Sequence, residues 1–389
     1  MTTLQNMKFA LCGALLAGLA ACGGGGGGTV ATAESGSLRL ALTDAPACGY
    51  DAVNITVEKV RVHQSASAGD ADGGWSEVAL SPARRINLLN LTNGVLDELG
   101  QTPLPAGKYT QLRMVLADNT GTNPFANSVK PTGLAEAAMK TPSGQQSGVK
   151  ANINIDIAAN KLADFVIDFD ACKSVVTAGN SGQYLLKPVV TVVPRYISGV
   201  TGFVNATLAG GSSVSLQQGG IVIKATAPDS TGKFTLQPVA PGSYTLVLSA
   251  PGRTTAVVTN VAVTADTVLA FNASGTALNP PASASATLNG TAPANTLVRA
   301  VQVLAGGAEA EVAGRFVDGT TGAYSYGLPV NAPLVAPYAA APAALVFTPD
   351  AAAAGKYTLK ASLPTFADKT ATPPALASGA TVTTNFTFP

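Results

Sequence analysis

Thr231-Gly232-Lys233-Phe234-Thr235-Leu236-Gln237-Pro238-Val239-Ala240-Pro241-Gly242-Ser243-Tyr244-Thr245-Leu246 sets apolar residues at every second position on both sides of a Pro- and Gly-rich turn. Period-two alternation is the mark of a half-buried strand, so Phe234, Leu236, Tyr244 and Leu246 face one core while the Gly and Pro positions turn the chain between neighbouring strands. Outward from this stretch, seven strands are predicted at residues 200–205, 213–216, 221–225, 234–236, 244–249, 256–263 and 268–271, each bounded by turn residues. Seven short strands in this space predict an all-β sandwich over 199–275.

The pattern recurs more loosely beyond Asn279-Pro280-Pro281-Ala282-Ser283-Ala284-Ser285, which reads as a linker by composition. Asp318-Gly319-Thr320-Thr321-Gly322-Ala323-Tyr324-Ser325-Tyr326-Gly327-Leu328-Pro329 repeats the turn-strand signal, and Gly355-Lys356-Tyr357-Thr358-Leu359-Lys360-Ala361 repeats the later strand. The Ala/Pro-rich stretch 332–354 separates them by more than in the preceding module, so either an insertion or a diverged fold is in play, and residues 284–389 predict a diverged second sandwich. Upstream the charge density changes: residues 36–197 hold 28 charged side chains, about 17%, against 15, about 8%, in residues 198–389. Residues 36–197 therefore form a different module. Its strands are predicted at 37–43, 52–62, from 75, 104–116, 153–157, 165–169 and 185–193, the last pushed towards an edge by Pro188 and Pro194. Residues 86–100 carry apolar positions at helical spacing and end in Gly, predicting a short helix or two helical turns. The fold class expected is mainly β: tandem β-sandwich domains, immunoglobulin/prealbumin-like, the first with a short helix.

Two resemblances follow from these residues. Residues 231–246 resemble the carboxypeptidase-regulatory-like, prealbumin-type sandwich. Leu42-Thr43-Asp44-Ala45-Pro46, Val57-Glu58-Lys59-Val60-Arg61-Val62-His63, Leu88-Leu89-Asn90-Leu91-Thr92-Asn93-Gly94, Leu104-Pro105-Ala106-Gly107-Lys108-Tyr109-Thr110-Gln111, Pro142-Ser143-Gly144-Gln145-Gln146-Ser147-Gly148 and Asp168-Phe169-Asp170-Ala171 occur in order, as they do in a prokaryotic lipoprotein family, domain of unknown function 4382. That resemblance spans about residues 36–195 and implies a β-sandwich-like extracytoplasmic domain with no known activity.

Residues 1–21 carry one charge, Lys8, followed by the apolar run 9–19, as in a secretory signal peptide. They end in Leu19-Ala20-Ala21-Cys22, which resembles the bacterial lipobox; the resemblance implies cleavage before Cys22 and lipidation of its sulfur. Six glycines, 23–28, then open a flexible tether that runs to residue 35. Gly rather than Asp at position 23 implies, by likeness to Gram-negative lipoproteins, sorting to the outer membrane; neither leaflet face is indicated. With Cys12 removed and Cys22 lipidated, Cys48 and Cys172 remain as a candidate disulfide in an oxidising compartment, two free thiols being the other reading.

Composition narrows the chemistry. The net charge of +1 across 389 residues leaves no clustered positive surface for nucleic acid. One histidine, His63, leaves out the usual triads and His-based metal sites. Nucleophile-elbow, phosphate-loop and Cys-x-x-Cys motifs do not occur. Asp168 and Asp170 alternate on one strand face with Asp156 nearby in sequence, which is either a weak Ca²⁺ candidate or a solvated sheet face. Asp70-Ala71-Asp72-Gly73-Gly74 has part of a calcium loop but not its third oxygen ligand or distal Glu. Trp75, Tyr109, Tyr324 and Tyr326 are candidates for stacking on sugar, against an ordinary core role for the tyrosines. No cofactor is expected. The expected partners are a membrane, through the lipid anchor, and a glycan or envelope protein. The leading expectation is a non-enzymatic, lipid-anchored cell-envelope protein with spacer, adhesive or binding modules. A carbohydrate-binding surface lipoprotein of starch-binding-like fold is the first alternative, and a carboxylate-dependent hydrolase the second.

Overall fold

A computed structural model describes residues 34–44, 49–142, 144 and 147–389. The first module holds strands β1 (Ser35–Asp44), β2 (Tyr50–His63), β3 (Ser76–Asn87), β4 (Asp97–Pro105), β5 (Gly107–Leu116), β6 (Ser128–Pro131), β7 (Ala137–Lys140), β8 (Val149–Ile157), β9 (Leu162–Phe169), β10 (Val175–Thr177), β11 (Tyr184–Leu186) and β12 (Val190–Pro194). One sheet runs β12-β9-β1-β4; the other runs β10-β11-β7-β6-β2-β5-β8, with β3 also paired to β2. Alternation sets the layers. In β8, Val149, Ala151, Ile153, Ile155 and Ile157 point inward and the four residues between them outward. With Leu38, Leu40 and Leu42 of β1 and Ile55 and Val57 of β2, they form one continuous core.

The expected helix at 86–100 is corrected. Only a single 3₁₀ turn, Leu88–Leu91, forms, with the Asn87 side chain accepting from the Leu89 N–H. Asn93 and Gly94 both take positive φ, 59° and 76°, and end it; β4 begins three residues later. Asn side chains compete for backbone donors and tolerate the left-handed region, so turn chemistry outweighs the helical spacing here. An α-helical turn forms instead at Ala171–Ser174, capped by the Asp170 carboxylate, which accepts from the Lys173 N–H at 2.9 Å. The expected strand 185–193 divides at Pro188: β11 stays in one sheet, and β12 becomes the edge of the other.

The second module has the seven expected strands, β13 (Gly199–Phe203), β14 (Ser213–Gln218), β15 (Ile221–Thr226), β16 (Lys233–Leu236), β17 (Gly242–Ser249), β18 (Ala256–Val263) and β19 (Val268–Ala270). Sheet β16-β13-β19 packs on a sheet led by β15-β14-β17-β18. Phe234, Leu236, Leu216, Leu246 and Val258 are fully buried between them. The third module adds β20 (Ser285–Thr291), β21 (Leu297–Val303), β22 (Glu309–Phe316), β23 (Ala323–Pro329), β24 (Leu334–Pro337), β25 (Thr348–Pro349), β26 (Thr358–Ser362), β27 (Lys369–Ala371) and β28 (Thr381–Thr383). Its own sheets are β23-β20-β28 and β22-β21-β26-β27.

The Ala/Pro-rich stretch does not belong to that sandwich. Strand β24 pairs in parallel with β18, from Ala256↔Leu334 to Thr259↔Pro337, and β25 extends the same sheet outward. Tyr338, which follows β24, stacks on Phe271 of the second module's core at 5.6 Å. Nor does 279–285 run free as a flexible linker: the Thr254 N–H donates to Pro281 O and the Ser283 N–H to Gly252 O, both at 2.9 Å.

The two sandwiches share a turn that explains the sequence echo. Asp229 Oδ1 accepts from the N–H groups of Thr231 and Lys233, and Asp318 Oδ1 from those of Thr320 and Thr321. Each turn closes on a glycine at positive φ, Gly232 at 83° and Gly322 at 69°, where a Cβ would lie 2.0 Å from Val204 O or 2.2 Å from Ala292 O. A Gly-x-Tyr step recurs in all three modules, and the hydroxyls of Tyr109, Tyr244 and Tyr357 donate to the backbone oxygens of Pro105, Ala240 and Pro329. Residues 34–389 fold together as one compact unit.

Candidate functional site at the three-module junction

Of the four buried charged side chains among the described residues, Asp44, Lys224 and Glu311 gather where the modules meet, and Arg113 lies within the first module. Glu311 on β22, 6% exposed, stands at the centre. Its carboxylate takes Lys173 of the first module at 3.1 Å and Arg299 of its own module at 3.5 Å. Its backbone exchanges two hydrogen bonds, 2.8 and 2.9 Å, with the Gln217 side chain of the second module. A second bridge joins the first and second modules: Lys224 Nζ lies 2.7 Å from Asp168 Oδ1, with both side chains largely shielded from water. Asn93 adds neutral links, its N–H to Thr226 Oγ1 at 2.8 Å and its Oδ1 to the Thr235 N–H at 3.0 Å. Asp318 ties the third module to the first, accepting from the Gly179 N–H and the Thr177 hydroxyl, both at 2.8 Å.

The electrostatics follow from these partners. Burial raises the Asp168 pKa above the ordinary carboxylate range, with Lys224 opposing. For Lys173, burial works against the ammonium, but Asp170 and Glu311 outweigh it and raise its pKa. Asp318 is likewise opposed by burial, yet the N–H groups of Thr321, Thr320 and Gly179 and the Thr177 hydroxyl hold its pKa well below the usual range. Asp44, 1% exposed at the end of β1, accepts from the Ala171 N–H at 2.9 Å, and its Oδ2 has no hydrogen-bond partner among the described residues. Burial, reinforced by Asp170 and Asp168, pushes its pKa well up.

A carboxyl group whose folded pKa is raised contributes stability below its unfolded pKa of about 4, and that contribution is lost as pH rises through the folded value. The Asp44→Asn variant removes this loss while keeping the acceptor for Ala171. Its thermal midpoint is expected to exceed the wild type's at pH 8, with the gap closing as the pH is lowered towards 4; a gap of constant size across thermal melts at several pH values contradicts the assignment.

The predicted site residues separate. Asp156 is exposed on β8 opposite Lys108 of β5, away from Asp168, which is paired with Lys224, and Asp170, which caps the helical turn and meets Lys173 at 3.5 Å. Lysine ammonium groups thus stand where a Ca²⁺ ion would be needed, and no group of three metal-ligating side chains exists among the described residues. The fold thus does not gather Asp156, Asp168 and Asp170 into one site among the described residues. Of the stacking candidates, Tyr109, Tyr324 and Tyr326 lie in the core, 2–3% exposed, and each hydroxyl donates to a backbone carbonyl. Trp75 is half-buried, its indole N–H donating to Gly69 O, with the Arg61 and Arg113 guanidinium groups 4.6 and 5.0 Å from the ring. It anchors the 65–74 loop, as does His63, whose Nε2 meets Gly73 O at 3.0 Å. Cys172 lies in the helical turn. Cys22 and Cys48 lie outside the described residues. No described helix is long and apolar enough to cross a membrane.

Lys173, Lys224, Glu311 and Arg315 were missed in the sequence. A signal existed: in a module with about 8% charged residues, a Lys inside Ile221-Val222-Ile223-Lys224-Ala225 is rare enough to suggest a buried partner.

Comparison with known proteins bears on the first module. Residues 35–188 match the family described as Domain of unknown function (DUF4382). The matched residues take in the β1–β9 pair, the Asp170 cap, Lys173 and Gly179, and so supply one face of the junction. No curated protein matches the chain. Among solved structures, a type II cohesin–X–dockerin complex from Acetivibrio cellulolyticus is 26% identical, covering 22% of this chain and 58% of its own, with a TM-score of 0.20. This chain therefore spans less than two thirds of that structure's length. The Corynebacterium diphtheriae major pilin SpaA is 10% identical over 91% of this chain and 100% of its own, at a TM-score of 0.17. A streptococcal ancillary pilin is 10% identical over 90% and 98%, at 0.15.

Proposed function

We propose that the chain is a lipid-anchored protein of the Gram-negative outer membrane, without catalytic activity of its own, whose fused sandwiches serve as spacer, adhesive and binding modules. The observation that carries this is how the buried charges are used. Asp168, Asp170, Glu311, Lys173 and Lys224 pair with one another, largely across module boundaries, so their carboxylates fix geometry and are not left free for acid–base work. The lipobox-like Cys22 and the glycine run behind it support the anchor, at about 0.8 kcal/mol per buried CH₂ of acyl chain. The seven strands of residues 199–275 support the carboxypeptidase-regulatory-like reading.

A disulfide between Cys48 and Cys172 belongs to the same reading. Both flanks of Cys48 come close to Cys172: Asp44 accepts from Ala171, and Tyr50 lines one cavity with Cys172. The test is the mass and partitioning of protein extracted from membranes. Cleavage before Cys22 with added acyl mass, no reactive thiol in denaturant, and release of the Cys22→Ser variant from the membrane fraction are expected. An unacylated chain, or turnover of a glycoside, ester or peptide panel, overturns the reading.

A further inference from the structure

A cavity of about 440 Å³ opens between the first and third modules, within the size range of small-ligand sites. Tyr50 and Thr177 line it from the first module, and Arg315, Phe316, Thr321 and Ser325 from the third. Arg315 is exposed on β22, its guanidinium 5.3 Å above the Tyr326 ring, and no carboxylate pairs with it among the described residues. The neighbouring acids are committed elsewhere. Asp318 Oδ1 accepts from Gly179, Thr320 and Thr321, and its Oδ2 from Thr177. Glu311 is held by Lys173 and Arg299. Asp318 also lines the cleft, but it is held by these neutral donors and forms no direct ion pair with Arg315 among the described residues, so the guanidinium's planar fork stays open to a carboxylate held by two parallel hydrogen bonds. Around it stand the hydroxyls of Tyr50 and Ser325, matched to a polyol, and the half-buried rings of Tyr50 and Phe316, which supply apolar wall; the Thr321 hydroxyl donates to Asp318 Oδ1 at 3.0 Å.

We propose that this cleft binds a carboxylated monosaccharide unit, a uronic acid, with Arg315 taking the carboxylate and the hydroxyls taking the ring oxygens. The source is either the free sugar acid or one unit of an acidic polysaccharide; the chemistry recognised is the same. This narrows the binding role proposed above to a ligand class, but it rests only on the cleft and holds whether or not Cys22 is acylated.

The test is calorimetric titration of the full chain with glucuronate, glucose and acetate, followed by a glucuronate oligosaccharide. Glucuronate is expected to bind at least about tenfold more tightly than glucose or acetate, and Arg315→Ala to lose about tenfold to a hundredfold, the worth of a charge-assisted hydrogen bond pair, with partial retention in Arg315→Lys. Tighter binding of the oligosaccharide than of free glucuronate identifies the polymer as source, and equal binding the free acid. No heat with glucuronate at millimolar concentration, equal affinity for glucose or acetate, or unchanged binding in Arg315→Ala overturns the proposal. Arg315 is exposed and makes no structural ion pair, and an unchanged circular dichroism spectrum establishes that the variant folds. Chemical change of the sugar during titration overturns the non-catalytic reading while leaving the cleft assignment standing.

Discussion

Lys224→Met is expected to destabilise the protein by about 3–5 kcal/mol, the cost of leaving one member of a buried ion pair without its counter-charge. Lys224 is 3% exposed and its ammonium is the only cation in hydrogen-bond contact with Asp168 among the described residues. The Met side chain replaces the aliphatic stem in volume, so the loss reports on charge rather than packing. The pair also crosses a module boundary, between β9 and β15. Calorimetry is therefore expected to show one transition for the wild type and two for the variant, because cooperativity between separate cores depends on what couples them. The double variant Lys224→Met/Asp168→Leu recovers most of the loss, since neither charge then remains buried. A double variant as unstable as the single places the cost in packing and contradicts this account.

Phe234→Ala is expected to cost about 3–5 kcal/mol, as for other fully buried aromatic residues cut back to a methyl group. Phe234 has no exposed surface, and its ring packs so closely on β13 that a Cβ at Gly202 would lie 2.6 Å from Cζ. It also meets Phe271 at a centroid distance of 6.3 Å, so truncation opens a cavity between the two sheets. Urea denaturation checks it: the midpoint falls with the slope unchanged. Because Lys224 sits in the same module, the Phe234→Ala variant is also expected to weaken the hold on Asp168. A loss below about 1 kcal/mol would mean that this core collapses freely around the missing ring.

How far the fold could be read beforehand varied with the range of the interactions concerned. The second module was legible strand by strand because Gly, Pro and Asn bound every alternating run, and both turn and strand are local properties. Residues 86–100 were misread because spacing alone cannot weigh Leu and Val positions against Asn87, Asn93 and Gly94, whose turn preferences prevail. The stretch 332–354 could be read only as an insertion or a sign of a diverged fold, not as a pair of strands for the preceding sandwich, since that pairing joins residues about 80 positions apart. The burial of the tyrosine candidates was unreadable for a similar reason: alternation places Tyr324 and Tyr326 on one face but does not say which face is buried. The junction itself was invisible, because Glu311, Lys173 and Gln217 lie in three separate modules and nothing local marks them as partners.

The parallel pairing of β24 with β18 also bears on how such a chain can change over generations. Sandwich domains strung on linkers can be duplicated, lost or exchanged by recombination between them. Here a cut at residues 279–285 would strip β24 and β25 from the second module and leave β18 a bare, apolar sheet edge, an invitation to aggregate. The second and third modules are therefore bound into one folding piece, and loss of the last hundred residues would remove the strand that covers β18 in the module before them.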